Sequence, residues 1–157
     1  MDIRVELVEA VLTVPLRHQV LRPHQRPQDL VLPAESAAGA AHVAALTPAG
    51  AVVGTAVVLP ESFPLLPARP AGWRLRGMAI APELRDRGIG GRVLGFAIEH
   101  VAGQGGRLLW CHARIPARRF YQRAGFQPIG QPWQEEHTGP HIAMWRDVDS
   151  VVRRQAR

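Results

Sequence analysis

The chain contains no lysine, and all nineteen of its basic residues are arginine. A bias toward arginine is not itself a function, but the missing lysine excludes a P-loop, which requires Gly-Lys-Ser/Thr. The net charge of +6 would suit an anionic ligand or a nucleic acid. The arginines are scattered, however, apart from adjacent pairs at 118–119 and 153–154, and no basic block is interleaved with aromatic residues. We therefore expect no nucleic-acid partner.

Cysteine and long apolar runs are also scarce. The single cysteine, Cys111, excludes an internal disulfide framework and favours a reducing cytoplasm. No segment approaches the ~20 apolar residues that span a bilayer, and the alternating, acidic start of the chain is not typical of a signal peptide. We expect no membrane partner. The length of 157 residues predicts one domain, residues 1–157.

Hydrophobic periodicity predicts a mixed α/β sheet. Residues 22–39 and 60–72 are rich in proline and are predicted to be irregular. In the strand over residues 73–80, alternation places Trp73 and Leu75 on one face and Arg74 and Arg76 on the other. The predicted elements are strands at 3–8, 41–46, 51–59, 73–80, 107–111, 126–129 and 141–148, and helices beginning near Pro15, Ile89 and Pro116.

The stretch "LRDRGIGGRVL", residues 84–94, places glycines before a helical apolar pattern. A glycine-rich turn that leads into a helix presents backbone N–H groups to an anion. Arg85 and Arg87 would add charge-assisted bonds to phosphate oxygens. A dinucleotide fingerprint is excluded because Val93 occupies its third small position and the preceding strand ends too early. On the glycine pattern alone, a phosphate cradle and a plain turn remain equally open.

The pattern Arg85-x-x-Gly88-x-Gly90 lies between "WRLRGMAI" and "RRFYQRAGF". In this combination, residues 73–126 resemble the GNAT family of N-acetyltransferases. The resemblance implies an α/β fold with a mixed, mostly antiparallel sheet of six to seven strands flanked by helices, the acyl-CoA N-acyltransferase fold. It also implies acetyl-CoA as the acyl-donor cosubstrate, no metal cofactor, and a small-molecule amine as acceptor. Dimers are common among such folds, so a homodimer is an open expectation.

The same resemblance assigns the residues that bind the cofactor. The loop at 85–91 would wrap the coenzyme A pyrophosphate, and the backbone of the preceding strand would bond the pantetheine arm. His112 stands near the position where many relatives have an asparagine that touches pantetheine. The implied cofactor-binding residues are Met78, Ala79, Ile80, Arg85, Asp86, Arg87, Gly88, Ile89, Gly90, Gly91, His112, Ala117 and Phe120.

Tyr121 is the implied catalytic residue, a proton donor to the leaving thiolate. It also lies on the apolar face of its helix, so a purely structural role stays open. Asp86 replaces a common glycine and is expected to face solvent or cap the helix. The strand over 73–80 lacks the glutamate that serves several relatives as general base, which leaves the base unassigned. Without a base, a non-catalytic coenzyme A-binding or sensory module remains the alternative.

Other residues admit both functional and structural interpretations. His137 and His141 are separated by Gly139 and Pro140, which argues against a helical zinc site. His112 is a candidate base through water and His141 a candidate acceptor contact, whereas Cys111 is interpreted as a buried structural residue. An Arg-lined acceptor pocket using Arg74 or Arg76 would indicate a carboxylate-bearing acceptor. A solvated loop is the simpler interpretation of Asp29, Glu35, Trp133, Glu135 and Glu136.

Overall fold

The computed structural model describes residues 2–149, so the arginine pair at 153–154 lies outside the described part. The strands and α-helices are β1 (Arg4–Val8), α1 (Val14–Val20), β2 (Ala41–Leu46), β3 (Val52–Pro60), β4 (Gly72–Ile80), α2 (Ile89–Gly103), β5 (Leu108–Arg114), α3 (Arg118–Arg123), β6 (Gln127–Glu135) and β7 (Gly139–Asp147). The seven strands lie in the order β1-β2-β3-β4-β5-β7-β6, which confirms the predicted mixed α/β fold. The strands β4 and β5 pair in parallel, while β1–β2, β2–β3, β5–β7 and β6–β7 are antiparallel.

The described residues form two compact units, one of residues 2–59 and 76–97 and the other of residues 60–75 and 98–149. In the first unit β1, β2 and β3 form an antiparallel meander. The predicted "TPAG" hairpin loop joins β2 to β3, and Gly50 within it has a φ of 89°. Eight of the nine β3 positions are at least half-buried, because this strand is apolar on both faces.

A left-handed glycine interrupts β4. Gly77 has a φ of 61°, a conformation typical of a β-bulge, so the predicted side-chain alternation does not run unbroken through the strand. The Nε atom of Arg17 lies 2.8 Å from the place that a Cβ at this position would occupy. The Thr55 hydroxyl donates to the Gly77 carbonyl at 2.8 Å. Only glycine therefore meets both the backbone angle and the close approach of Arg17.

In the second unit, β5, β7 and β6 form an antiparallel sheet over a core that includes Phe63 and Trp110. These two rings stack with centroids 4.9 Å apart, and the Trp110 indole donates to the Glu61 carbonyl at 2.8 Å. Phe63 and Glu61 both belong to the irregular segment 60–71. The ring stacking and the hydrogen bond to Trp110 therefore hold this segment against the sheet of its own unit.

Two predicted strands are longer than the sequence pattern indicated. β5 extends through His112 to Arg114, and β6 runs to Glu135 across a register shift between Ile129 and Trp133. Trp133 and Glu135 were predicted in a loop and instead lie in β6, because pairing with β7 continues past the shift. β6 lies at the end of the strand order, an edge position in which the missing N–H of Pro128 is tolerated. None of the helices within residues 2–149 has both the length and the apolar composition that a bilayer span requires.

Candidate functional site

The predicted cofactor-binding residues are divided between the units. Residues 78–80 and 85–91 belong to the first unit, while His112, Ala117, Phe120 and Tyr121 belong to the second. Ala117 ends the 3-10 turn Ile115–Ala117, and Phe120 and Tyr121 lie in α3. Each group is therefore described within its own unit.

The glycine-rich stretch is a strand-to-helix connection with a left-handed backbone. A 3-10 turn, Pro82–Leu84, follows β4, and α2 begins at Ile89. Asp86 and Gly88 have φ values of 63° and 81°. The Arg92 N–H donates to the Gly88 carbonyl at 3.2 Å. The N–H groups of residues 89–91 lie before this bond, in the first turn, where a helix provides no backbone acceptor of its own. Such an exposed helix start favours an anion.

The surface of this loop leaves room for a ligand to approach the backbone. A Cβ built on Gly88 or on Gly91 would have no atom within 4 Å. The side chains of Arg85 and Arg87 are exposed, and Asp86 is exposed as well, in agreement with the expectation that it faces solvent. The loop therefore offers backbone donors and two cations to solvent, without an inward carboxylate.

The last residues of β4 are held in place by their own unit. Ala79 is buried, while Met78 and Ile80 are half-buried. Just beyond the strand, the Ala81 N–H donates to the Val53 carbonyl at 2.8 Å. The β4–β5 pairs, residues 72–74 with residues 108–110, lie at the start of both strands, so residues 78–80 follow the paired stretch.

A buried ionic network lies beside the β4 bulge. Glu35 is 1% exposed, which makes its predicted place in a solvated loop wrong. Its Oε1 lies 3.0 Å from Nη1 of Arg17, and its Oε2 accepts from Nε of Arg76 at 2.9 Å. A buried carboxylate needs such partners, because its desolvation would otherwise be costly. The sequence carries no signal for this burial, since Pro33–Ser36 is a single 3-10 turn without periodicity.

Other residues fix the position of this network. The His42 Nε2–H donates to the Glu35 carbonyl at 2.8 Å, and Nη2 of Arg17 donates to the Leu30 carbonyl at 3.3 Å. These bonds attach the irregular segment 22–40 to α1 and β2. By contrast, Asp29 is exposed and pairs with Arg26, in agreement with its predicted place in a solvated loop.

Tyr121 is buried within α3 and packs edge-on against Phe120 and Phe126, with centroids 5.1 and 5.5 Å away. Burial raises the pKa of the Tyr121 phenol well above its usual value of 10, with a further increase from Cys111 and a smaller opposing effect of Arg114. The phenol therefore stays protonated across the working pH range and is suited to donate a proton rather than to accept one.

Cys111 is buried in β5, as predicted, and burial raises the pKa of its thiol from 9.0 to about 12, with a smaller opposing effect of Arg74. Since the thiolate is the reactive form, we expect an aromatic disulfide reagent to leave the folded protein unmodified at pH 8 and to react after unfolding. Above pH 9 the unfolded thiol ionises while the folded one does not, so stability falls as the pH rises.

Denaturant titrations at pH 8 and pH 10.5 measure this loss, which we expect to be about 2 kcal/mol. Cys111→Ala is the control, because it removes the thiol contribution and leaves only the pH dependence of the other groups. An equal decline in both proteins would contradict the raised pKa of Cys111.

His112 is exposed on β5, and Nη2 of Arg74 lies 3.3 Å from its Nδ1. A guanidinium can only donate, so Nδ1 accepts and the proton of the neutral ring is on Nε2. The Arg74 guanidinium also lies over the Trp110 ring at 4.7 Å and near the Glu61 carboxylate at 3.4 Å. Because the Nδ1 lone pair is engaged, His112 is better arranged to donate a hydrogen bond than to serve as a base.

His141 is buried at the start of β7 and lies opposite Arg114 in the β5–β7 register. Its Nδ1–H donates to the Gly139 carbonyl at 2.9 Å, and its ring stacks on Trp133 at 5.8 Å. The His112 ring meets Trp133 edge-on at 4.9 Å, so the two histidines share one aromatic cluster. Within the described residues, no group of three or more His, Cys, Asp or Glu is placed to hold a metal ion.

Comparison with known proteins shows that the sequence and the fold are similar to those of acetyltransferases. The sequence profile of the acetyltransferase (GNAT) family matches residues 10–126. The uncharacterized N-acetyltransferase YitI of Bacillus subtilis is 31% identical over 146 residues, which cover 93% of this chain and 97% of YitI. The crystal structure of Escherichia coli ElaA has a TM-score of 0.75 at 17% identity, covering 92% of this chain and 99% of ElaA. An aminoglycoside 6'-N-acetyltransferase complexed with coenzyme A has a TM-score of 0.70 at 14% identity, covering 92% and 97% of the respective chains.

Proposed function

Because the chain belongs to the acetyltransferase (GNAT) family, we propose that it transfers an acetyl group from acetyl-CoA to the amine of a small molecule, by direct attack in a ternary complex. The observation that carries this proposal is the left-handed backbone at Asp86 and Gly88 immediately before the N-terminus of α2. A left-handed turn before a helix can direct backbone N–H groups toward a pyrophosphate, which supports the proposal.

The proposal assigns three contacts to coenzyme A. The backbone of residues 85–91 and the guanidinium groups of Arg85 and Arg87 bind the pyrophosphate. The backbone of residues 78–80 pairs with the pantetheine arm as a strand would. His112, Ala117 and Phe120 add side-chain contacts. A coenzyme A complex of a protein with this fold supports the assignment.

Acetyl-CoA supplies the activated acyl group when it is bound, and the chain provides hydrogen bonds and a proton. A backbone N–H at Met78 or Ala79 donates to the carbonyl oxygen on which negative charge develops when the amine attacks. Tyr121 gives its phenolic proton to the sulfur as the carbon–sulfur bond breaks, and the proton that the amine nitrogen releases on forming the amide passes through water and restores the phenol.

Two measurements test this function. Acetyl-CoA should raise the melting temperature in a concentration-dependent way, whereas duplex DNA should leave it unchanged. Amines from a broad panel should release free thiol from acetyl-CoA only when the protein is present. No stabilisation by acetyl-CoA would refute the proposal.

The proposal also places the protein in the cytoplasm without a membrane or nucleic-acid partner. Sedimentation would distinguish a homodimer from a monomer.

The alternative is a non-catalytic module that binds coenzyme A. It is favoured by one observation: β4 contains no acidic residue, and both of its arginines lie near carboxylates, Arg74 near Glu61 and Arg76 near Glu35. This alternative predicts stabilisation by acetyl-CoA without release of thiol for any amine. Transfer to a single amine would eliminate it.

Gly88→Ala tests the pyrophosphate loop. An added Cβ strains a residue whose φ is 81° and stands where phosphate oxygens would approach the backbone. We expect the Kd for acetyl-CoA, measured by calorimetry, to rise about 10- to 100-fold, the effect of losing a hydrogen bond to a charged group. Gly105→Ala is a matched control, because Gly105 has a φ of 83° and equally open surroundings in the turn after α2. Equal affinities of the two variants would remove Gly88 from the binding site.

A further inference from the structure

We propose that the acceptor carries a carboxylate and that the terminal nitrogens of Arg76 bind it; this inference rests on the proposed acetyl transfer. It begins with the charge of the buried network. Arg17 and Arg76 carry two positive charges, and Glu35 carries one negative charge. Oε2 of Glu35 accepts a hydrogen bond from Arg76, whereas Oε1 is in an ion pair with Arg17 that lacks hydrogen-bond geometry. The network therefore retains one positive charge, which a second carboxylate would neutralise.

The exposure of the three side chains locates the open side of the network. The Glu35 side chain is 0% exposed and that of Arg17 is 5% exposed, whereas that of Arg76 is 24% exposed. An anion that arrives from solvent can therefore reach Arg76, but not the other two. Glu35 accepts from Nε of Arg76, and in this proposal the terminal nitrogens Nη1 and Nη2 bind the ligand. The edge of a guanidinium that these two nitrogens form binds a carboxylate with two parallel hydrogen bonds.

The position of Arg76 on β4 connects this group to the reaction. It lies two residues before Met78, so the two Cα atoms are at most about 7 Å apart along the strand. The Met78 N–H is the proposed donor to the acetyl carbonyl, and an acceptor amine must come close to that carbonyl. An amine and a carboxylate in one small molecule can then meet the acetyl carbon and Arg76 together.

The surroundings of Arg76 keep this geometry fixed. The guanidinium of Arg17 packs on Gly77, the residue between Arg76 and Met78, and the Thr55 hydroxyl holds the Gly77 carbonyl. An arginine that is already oriented by a buried carboxylate loses little side-chain entropy on binding a ligand. Arg74 is less suited to the same role, because it already contacts Trp110, His112 and Glu61.

Matched sets of acceptors test the inference. Amino acids would be compared with their carboxamides and with the corresponding decarboxylated amines, and β-alanine and longer amino acids would vary the distance from amine to carboxylate. We expect kcat/KM for the preferred carboxylates to exceed that for their amides by about 10- to 100-fold, the effect of a charge-assisted bidentate contact. Equal or better rates with the amides would overturn the inference while leaving acetyl transfer intact.

Arg76→Gln is the decisive variant, because it leaves the buried pair of Arg17 and Glu35 neutral. It should abolish the preference for carboxylates without changing the Kd for acetyl-CoA, and Arg76→Lys should restore only part of the preference. Arg4→Gln makes the same charge change at an exposed residue of β1 and should have no effect. A preference that survives in Arg76→Gln would also overturn the inference.

A binding measurement separates this inference from the proposed activity. If no amine releases thiol, acetyl transfer fails, but the carboxylate site can still be tested with N-acetylated amino acids and their amides, titrated by calorimetry in the presence of coenzyme A. Binding of the acids that Arg76→Gln weakens about tenfold or more would support the site. No difference between acids and amides, or no binding of either, would overturn it.

Discussion

We expect Tyr121→Phe to lower kcat by about 10²- to 10⁴-fold, the usual contribution of a general acid. The substitution removes one hydroxyl and keeps the ring that packs against Phe120 and Phe126. The thiolate would then leave without a proton donor. Because no backbone contact to coenzyme A changes, the Kd for acetyl-CoA should stay within a factor of about two, well below 1 kcal/mol. Rates of thiol release measure kcat, and calorimetry on the same preparations measures the Kd for acetyl-CoA.

The pH dependence gives an independent check on Tyr121. Since the pKa of its phenol is raised well above 10, the wild-type rate should show no decline from tyrosine ionisation below pH 10. A rate unaffected by Tyr121→Phe would remove the residue from the mechanism. A large rise in the Kd for acetyl-CoA in this variant would instead reveal a binding role.

The second large effect concerns stability. Glu35→Gln should lower the free energy of unfolding by about 3–5 kcal/mol, because it leaves the buried cation of Arg17 and the half-buried cation of Arg76 without their carboxylate. Asp29→Asn is the matched control. It removes a carboxylate of the same irregular segment from an exposed pair whose side chains are 72% and 49% exposed, and it should cost less than about 1 kcal/mol.

Denaturant unfolding of four proteins tests the network as a unit. Arg76→Gln should cost far less than Glu35→Gln, because it leaves one cation with one carboxylate. Combining Glu35→Gln with Arg76→Gln should recover part of the loss, since only Arg17 is then unpaired. Additive losses in the double variant, or a small effect of Glu35→Gln alone, would contradict a coupled buried network.

The fold could be predicted from the sequence because the apolar spacing of a single helix or strand is visible without knowledge of its neighbours. The long helix after the glycine stretch and the strands on either side of "TPAG" follow directly from their apolar spacing. The full length of β6 could not be predicted, because its second half exists only through pairing with β7. Residues that join a strand only because a neighbouring strand pairs with them need not show a periodic hydrophobic pattern.

The candidate site also combines features that local sequence predicts with features that depend on residues distant in the chain. The backbone-binding loop could be recognised because glycine and arginine spacing is a local property. The burial of Glu35 could not, since its partners Arg17 and Arg76 lie 18 and 41 residues away along the chain. The left-handed conformation of Gly77 was equally hidden, because a glycine in a strand pattern is compatible with several backbone angles.

The close approach of Arg17 to Gly77 also restricts the order in which the chain can evolve. Any side chain at position 77 requires the guanidinium, whose Nε is 2.8 Å from the new Cβ, to move. Because Glu35 and the Leu30 carbonyl hold this guanidinium, a shorter residue at position 17 would relieve the crowding and leave Glu35 and Arg76 as a neutral pair. The left-handed backbone still admits mainly asparagine or aspartate. A substitution 60 residues earlier in the sequence is thus permissive for change at position 77.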